Sequence, residues 1–512
     1  MVFRRWCGFM SEPIEPMKNP WRLIVNLNAT QRLTFTAAFL GWALDAFDFF
    51  TVVLTVPQIA QEFGLGPAKI ASAITVTLML RPVGAIIFGL LADRYGRRYP
   101  LMGNIFLYSL MEFLTGFAPN FTVFFALRAV FGIAMGGEWG LGASLAMESL
   151  PTEARGIFSG ILQQGYSSGH LLASFVLFCL FEIKPDISWR VLFYIGASPA
   201  LLILFLRFFV PESETFERQK DKATSAGDYM KSLWAMLKAE WTRVLYGIVL
   251  MACFNFMSHG SQDLYPTFLR IQMHYSPVRM SVTNIVASFG AIIGGTIIGY
   301  FSQYFGRRRT IVVSSLCGLL FVPLWVYGPG YSMALGAFGL QFFVQGAWGV
   351  VPVFLNEISP GNFRGTFPGV VYQIGNLISA ASAQIQAKIG ESFPVYSEQD
   401  DKMIADYGKT QAIFMLVVFL SISFIASVGF EERGKDFNDE GGSFQKVVDE
   451  YPMEEEQEYV YIFGWRLYRL QLRLFTKNQV THNPVGAFHE NQRVGKRCEL
   501  PMSNPSCLHW II

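Results

Sequence analysis

The chain has 512 residues, 52% hydrophobic and 15% aromatic but only 15% charged, with a mean hydropathy of +0.35. Soluble domains carry about 25% charged residues, whereas apolar runs of roughly 20 residues, of which this chain has many, cross the ~30 Å hydrocarbon core as helices. A net charge of +2 implies no bulk attraction to nucleic acid, and six scattered cysteines (7, 179, 253, 317, 498 and 507) form neither a disulfide framework nor a metal-binding spacing.

Residues 1–32 are polar, carry Arg4, Arg5, Lys18, Arg22 and Arg32, and are not expected to include a cleaved signal peptide. Twelve spans are predicted, at about 33–56, 70–92, 99–118, 121–147, 157–181, 189–210, 244–268, 281–305, 310–329, 333–356, 366–389 and 410–430. They divide into an N-terminal half (33–210) and a C-terminal half (244–430), joined by a mixed-charge linker (211–243) and followed by a tail (431–512). Arg94, Arg97 and Arg98 follow span 2, Arg307, Arg308 and Arg309 follow span 8, and the loops opposite are poor in basic residues. The positive-inside rule then puts both termini in the cytoplasm. The sequons at Asn28 and Asn120 are not expected to be glycosylated, the first being cytoplasmic and the second pressed against the membrane.

A charge at the bilayer centre costs at least about 2.5–3.5 kcal/mol on insertion scales, so each one in a span asks for a partner or a use. Span 1 holds Asp45 and Asp48 in GWALDAFDFF. Two close carboxylates resist double ionisation, so one can carry a proton; equally, one can pair with Arg81 or Arg128 for folding alone. Arg81, in ITVTLMLRPVGAIIFG, offers a planar fork to a carboxylate, or closes an internal ion pair with Asp45 or Asp48. Glu112 and His170 read as core polar groups, and Glu138, in GGEWG, is a charge that only one half carries.

Span 7 runs into FNFMSHGSQDLYPTF, where Asn255, His259, Gln262 and Asp263 fall on one helical face. Histidine changes charge near neutral pH, so His259 and Asp263, one turn apart, suit a proton-coupled device. A structural cap around a helix break at Gly260 and Pro266 accounts for the same residues. In span 11, Gln373 and Asn376 lie one turn apart in YQIGNLISAAS, suited either to orienting a small acid or to bonding between helices.

The halves repeat one another. GLLADRYGRR (89–98) aligns with GYFSQYFGRR (299–308) at an offset of 210, and GGEWGLGASLAMESLPTEARG (136–156) with QGAWGVVPVFLNEISPGNFRG (345–365) at 209. Trp139 thereby matches Trp348, Glu148 matches Glu357, and Arg155-Gly156 matches Arg364-Gly365, while Glu138 meets Ala347. Parallel repeats of six helices place a binding site at their interface near mid-bilayer.

With its G-x-x-x-D-R-x-G-R-R loop, its R-x-x-x-G-x-x-x-G run from Arg128 to Gly136 and its paired E-x-x-P-x-x-x-R-G loops, the chain resembles the major facilitator superfamily over residues 33 to about 437. That resemblance implies an all-α membrane protein of twelve helices in two pseudo-symmetric halves. It also implies a gate built from Asp93, Arg97, Arg128, Glu148, Arg155, Glu357 and Arg364, in which a salt-bridge latch holds the outward-open state. The second half departs from the pattern with Gln303 where the first has Asp93.

Asn255, Ser258, His259, Ser261, Gln262, Asp263 and Thr267 also meet N-x-x-[S/T]-H-x-[S/T]-Q-D-x-x-x-T, which resembles the fungal lactate/pyruvate–proton symporters. The resemblance implies import of short monocarboxylates with a proton across the plasma membrane, by a protein working as a monomer. Arg81 would hold the carboxylate and Asn255, Gln262, Gln373 and Asn376 would orient it. His259 and Asp263 would couple the proton, with Asp45 and Asp48 as further carriers. No cofactor, metal, nucleic acid or enzymatic bond-making is expected. The alternatives are another organic-acid symporter, for a dicarboxylate among others, or a carboxylate sensor that does not transport. In the tail, 462–477 is expected to lie on the membrane as an amphipathic helix, and the tail as a whole to be disordered.

Overall fold

Local capping sets where several of the apolar runs begin as helices. The computed structural model describes residues 16–65, 67–183, 188–212, 234–235, 237–265, 268–360, 363–380, 382–397, 401–435, 437, 459–462 and 465–468. Span 1 is Ala29–Phe63, opened by reciprocal bonds between Asn28 and Gln31 and closed by Gly64 at φ +63°. Spans 2 to 4 are Pro67–Tyr95, Arg98–Thr115 and Phe121–Ser149, the last capped by Asn120. Span 5 is split into Arg155–Gln163 and Gly165–Ile183, and span 6 is Arg190–Phe209.

In the second half, span 7 is Trp241–Gln262 and span 8 Pro277–Phe305, started by Ser276 with proline in the first turn. Spans 9, 10 and 11 are broken, as Arg307–Leu319 with Val322–Tyr327, Ser332–Trp348 with Val351–Ile358, and Phe367–Ser379 with Ser382–Ser392. Span 12 is Tyr407–Ser427, capped by Asp406. All twelve predicted spans are helical, and the architecture is that of two six-helix halves.

The repeat is visible in the packing. A side chain at Gly84 would meet the Ile133 carbonyl at 1.7 Å, and one at Gly294 would meet the Phe342 carbonyl at 2.0 Å. Hydrocarbon supplies no hydrophobic drive between helices, so bare backbone at these matched positions lets span 2 lie on span 4 and span 8 on span 10.

Two expectations need correction, and one element goes beyond them. Span 7 stops at Gln262 rather than 268: the Asp263 N–H closes on the His259 carbonyl at 3.1 Å, and a wide π turn follows at Phe268–Gln272. Pro266 and Thr267 lie outside the described residues. The acidic stretch after span 11 contains an antiparallel hairpin, Pro394–Ser397 with Lys402–Ala405. In the tail, Tyr459–Ile462 pairs with Trp465–Tyr468. Alternating aromatic and β-branched residues there favour strand over the expected amphipathic helix, whose remainder, 469–477, lies outside the described residues.

Residues 431–435 and Phe437, assigned to the tail by composition, lie against both halves on the side of the arginine loops. Glu431 accepts the backbone N–H groups of Arg307 and Arg308, each at 2.9 Å, and Gly434 N–H donates to Glu357 at 3.1 Å. Phe437, 1% exposed, sits between two guanidinium groups, Arg155 at 3.7 Å and Arg364 at 4.3 Å from its ring centre. Arg155 also donates to the Lys435 carbonyl at 2.8 Å, and Arg364 to the Phe437 carbonyl at 3.0 Å. The first-half counterpart of Glu431 is Glu212, which accepts the N–H groups of Arg97 and Arg98, each at 3.0 Å. Phe437→Ala removes a buried ring and two cation–π contacts, a loss of about 3 kcal/mol. The thermal midpoint of the detergent-solubilised variant is expected to drop by several degrees and that of Phe437→Trp to drop less; an unchanged midpoint for the alanine variant would show that the ring holds nothing.

Candidate functional site

The end of span 7 and the middle of span 11 meet through His259. Its Nδ1 lies 3.0 Å from Asp263 Oδ2 and its Nε2 lies 3.1 Å from Asn376 Oδ1. Asn376 Nδ2 donates to Gln373 Oε1 at 3.5 Å, the assignment in which Oδ1 faces the imidazole. An amide oxygen only accepts, so in this arrangement Nε2 is the donor. With Nε2 so used, the Nδ1–carboxylate contact is the second hydrogen bond that an imidazolium would make. The His259 and Asp263 side chains are 20% and 40% exposed.

Across the cavity, Arg81 Nη2 stands 3.7 Å from Asp45 Oδ2, an ion pair without a hydrogen bond. Arg81 Nε and Nη2, both oxygens of Asp45 and of Asp48, and Gln373 Nε2 are buried and have no hydrogen-bond partner among the described residues. The Arg81 guanidinium lies 6.0 Å from the Phe49 ring centre. The two halves thus bring a cationic fork on the one side and a His–Asp pair with two amides on the other.

Sequence reasoning missed the aromatic lining. Tyr372 packs on Trp139 of the other half at 4.5 Å and on Trp348 at 5.8 Å, while Trp139 Nε1 donates to Gln163 at 3.0 Å. Tyr166 stacks on Trp42 at 5.6 Å. The repeat-matched Trp139 and Trp348 were the available signal, since both rings converge on the residue beside Gln373.

Not every expected binding group joins this cluster. Asn255 is buried and donates to the Met251 carbonyl of its own helix at 2.8 Å. Gln262 donates to Gln341 at 3.1 Å, and Gln341 in turn donates to Ser261 at 3.0 Å, tying span 7 to span 10. Arg128, expected at the gate, is hydrogen-bonded to Glu112 within its own half, both buried.

The halves close on the arginine-loop side. Asp93 accepts from the Gly365 and Thr366 N–H groups at 2.7 and 2.9 Å and from the Thr366 hydroxyl. Thr366 immediately precedes the span 11 helix, so a carboxylate of one half caps a helix start of the other. The contact between halves is thus charge on backbone and hydroxyl, while the salt bridge of Asp93 is to Arg97 of its own half at 3.5 Å. Arg97 also bonds Glu148 at 3.1 Å in that half, and Arg307 grips Glu357 with two bonds of 2.9 Å in the other. Gln303 stays in its half, accepting from Arg307 at 2.7 Å.

Two further contacts seal this side. A side chain at Gly299 would meet Gly160 Cα at 2.6 Å, so spans 5 and 8 touch backbone to backbone. Ser159 donates to the Gly349 carbonyl at 2.7 Å and accepts the Val353 N–H at 3.0 Å, spanning the break in span 10. Nothing in the sequence marks Ser159 for this role.

Residues 38–383 match the family model described as Major Facilitator Superfamily. A carboxylic acid transporter protein homolog of Saccharomyces cerevisiae is 29% identical over 79% of this chain and 69% of its own length. A probable 4-methylmuconolactone transporter of Cupriavidus pinatubonensis is 31% identical over 69% of this chain and 82% of its own. Among solved structures, the proton:xylose symporter XylE superposes with a TM-score of 0.65 at 18% identity, covering 82% of this chain and 99% of that one.

Asp93→Asn leaves a single acceptor for these donors and removes the charge facing the helix start, at a cost of about 1.5–3 kcal/mol. Ser144, buried between the halves and bonded to the Arg364 carbonyl, reports on this opening. In a Ser144→Cys background, Asp93→Asn is expected to speed thiol labelling about tenfold; equal rates would show that Asp93 does not latch the gate.

Proposed function

The chain belongs to the major facilitator superfamily and is a membrane transporter, and on that premise we propose that it carries a short monocarboxylate together with a proton, by alternating access between its halves. The observation that supports this reading is the His259–Asp263–Asn376 triad, whose hydrogen-bond geometry suits a group that takes up and releases a proton. Opposite it, the unfilled edge of Arg81 suits a carboxylate, and Gln373 and Asn376 suit the adjacent carbonyl or hydroxyl. The name of the yeast relative, a carboxylic acid transporter homolog, supports an acid as the substrate.

In this reading the arginine loops face the cytoplasm, the protein lies in the plasma membrane, and the closed Asp93 latch belongs to the outward-facing state. One anion with one proton is electroneutral, so each pH unit of gradient drives about 1.4 kcal/mol, or roughly tenfold accumulation. A dicarboxylate calls for a second available cation, and Arg128 is committed to Glu112.

The test is uptake of labelled lactate, pyruvate and succinate by transporter-deficient yeast expressing this chain, at external pH 5 and pH 7. Lactate and pyruvate uptake is expected to be higher at pH 5, and to fall at least tenfold in His259→Ala and in Arg81→Ala. Succinate uptake alone would make the protein a dicarboxylate carrier. No uptake of any acid, with the chain present at the cell surface, would leave a binding sensor.

A further inference from the structure

Glu138 is a buried acid for which the carboxylate and gate sites have no use. It lies in span 4, 1% exposed, and both its oxygens lack a hydrogen-bond partner among the described residues. Its neighbour Arg207 of span 6, 2% exposed, reaches only to 3.8 Å, and Nε, Nη1 and Nη2 of that guanidinium likewise lack hydrogen-bond partners there. Another buried pair of this half, Glu112 with Arg128, is by contrast hydrogen-bonded. Space around Glu138 comes from span 1, where a side chain at Gly41 would stand 2.4 Å from Glu138 Oε1.

The groups that share this chamber come from three other helices. Asp45 of span 1 stands one helical turn beyond Gly41, the residue whose Cα faces Glu138, the Tyr108 hydroxyl of span 3 is buried and without a partner among the described residues, and Arg207 closes the side toward span 6. Arg207 is two residues from the end of span 6, and Glu212 just beyond binds the loop N–H groups of Arg97 and Arg98. Glu138 thus stands between the cavity carboxylates and the arginine-loop face. A carboxylate bound tightly to arginine stays ionised, whereas one held at a distance without hydrogen bonds can accept a proton and return it.

We propose that Glu138 is the station through which the coupled proton leaves the cavity toward the arginine-loop side. The proton passes from the Asp45 carboxyl to the Glu138 carboxylate, directly or through water, breaking one O–H bond as the other forms. Arg207 balances the charge of Glu138 once that proton has moved on. The proposal rests on the proton-coupled reading above.

The test uses the full chain in proteoliposomes and compares the wild type with Glu138→Gln and Glu138→Asp. Lactate accumulation under a one-unit pH gradient is measured beside lactate exchange without a gradient. Glu138→Gln is expected to lower accumulation from about tenfold to near unity while exchange continues, and Glu138→Asp, which keeps a titratable group, to restore accumulation. Wild-type accumulation in Glu138→Gln would overturn the proposal. So would joint loss of exchange and accumulation in a Glu138→Gln protein that still elutes as a folded monodisperse species, since a structural pair would behave that way. A wild type that exchanges lactate but never accumulates it would instead bring down the proton-coupled reading, and the proposal with it.

Discussion

Hydrocarbon offers a charge no solvent, so a carboxylate or guanidinium within a span must be paired, hydrogen-bonded or held ready for a ligand. The first half meets this constraint in graded ways. Glu112 and Arg128 bond directly and lock two helices together. Arg81 with Asp45 and Arg207 with Glu138 are held at 3.7 and 3.8 Å, close enough to stabilise each other and loose enough to let go. Asp48 is fully buried and has no ion-pair partner among the described residues. Movable protons and anions can be handled only where pairing is incomplete, and the rest of the molecule holds those incomplete pairs in place.

Much of this was legible in the sequence because membrane helices announce themselves by length and because the second half repeats the first. Of the two readings of the polar residues of FNFMSHGSQD, the helix end is what the backbone displays: the Asp263 N–H closes the helix on the His259 carbonyl, while the His259 ring joins Asp263 to Asn376 of span 11. Asn255 and Gln262 sit in the same motif and are spent on internal bonds, which no spacing rule separates from ligand contacts. Backbone partners were the least visible. Asp93 reads as half of a salt bridge because sequence displays side chains, yet its partners across the interface are two amide N–H groups and a hydroxyl.

The two sides of the molecule are held by different physics. On the arginine-loop side, bare glycine backbone, Ser159 and Asp93 bring the halves to direct contact, and the segment after span 12 is laid over the seam. At the other end of span 7, His259 and Asp263 are partly exposed and are bonded side chain to side chain at ordinary distances. Backbone contact at one end and side-chain contact at the other make the two ends of the interface unlike.

Arg155 and Arg364 occupy matched places in the two repeats, yet both close on the single ring of Phe437. Duplicating a six-helix unit produces two identical claws and nothing between them; the object they share has to come from outside the duplicated segment. Phe437 follows span 12 in the chain, so were the halves to part it would travel with Arg364, and its contact with Arg155 would be the one to yield. A structure with near-twofold symmetry therefore acquires a preferred breaking point from a few residues of chain that belong to neither repeat.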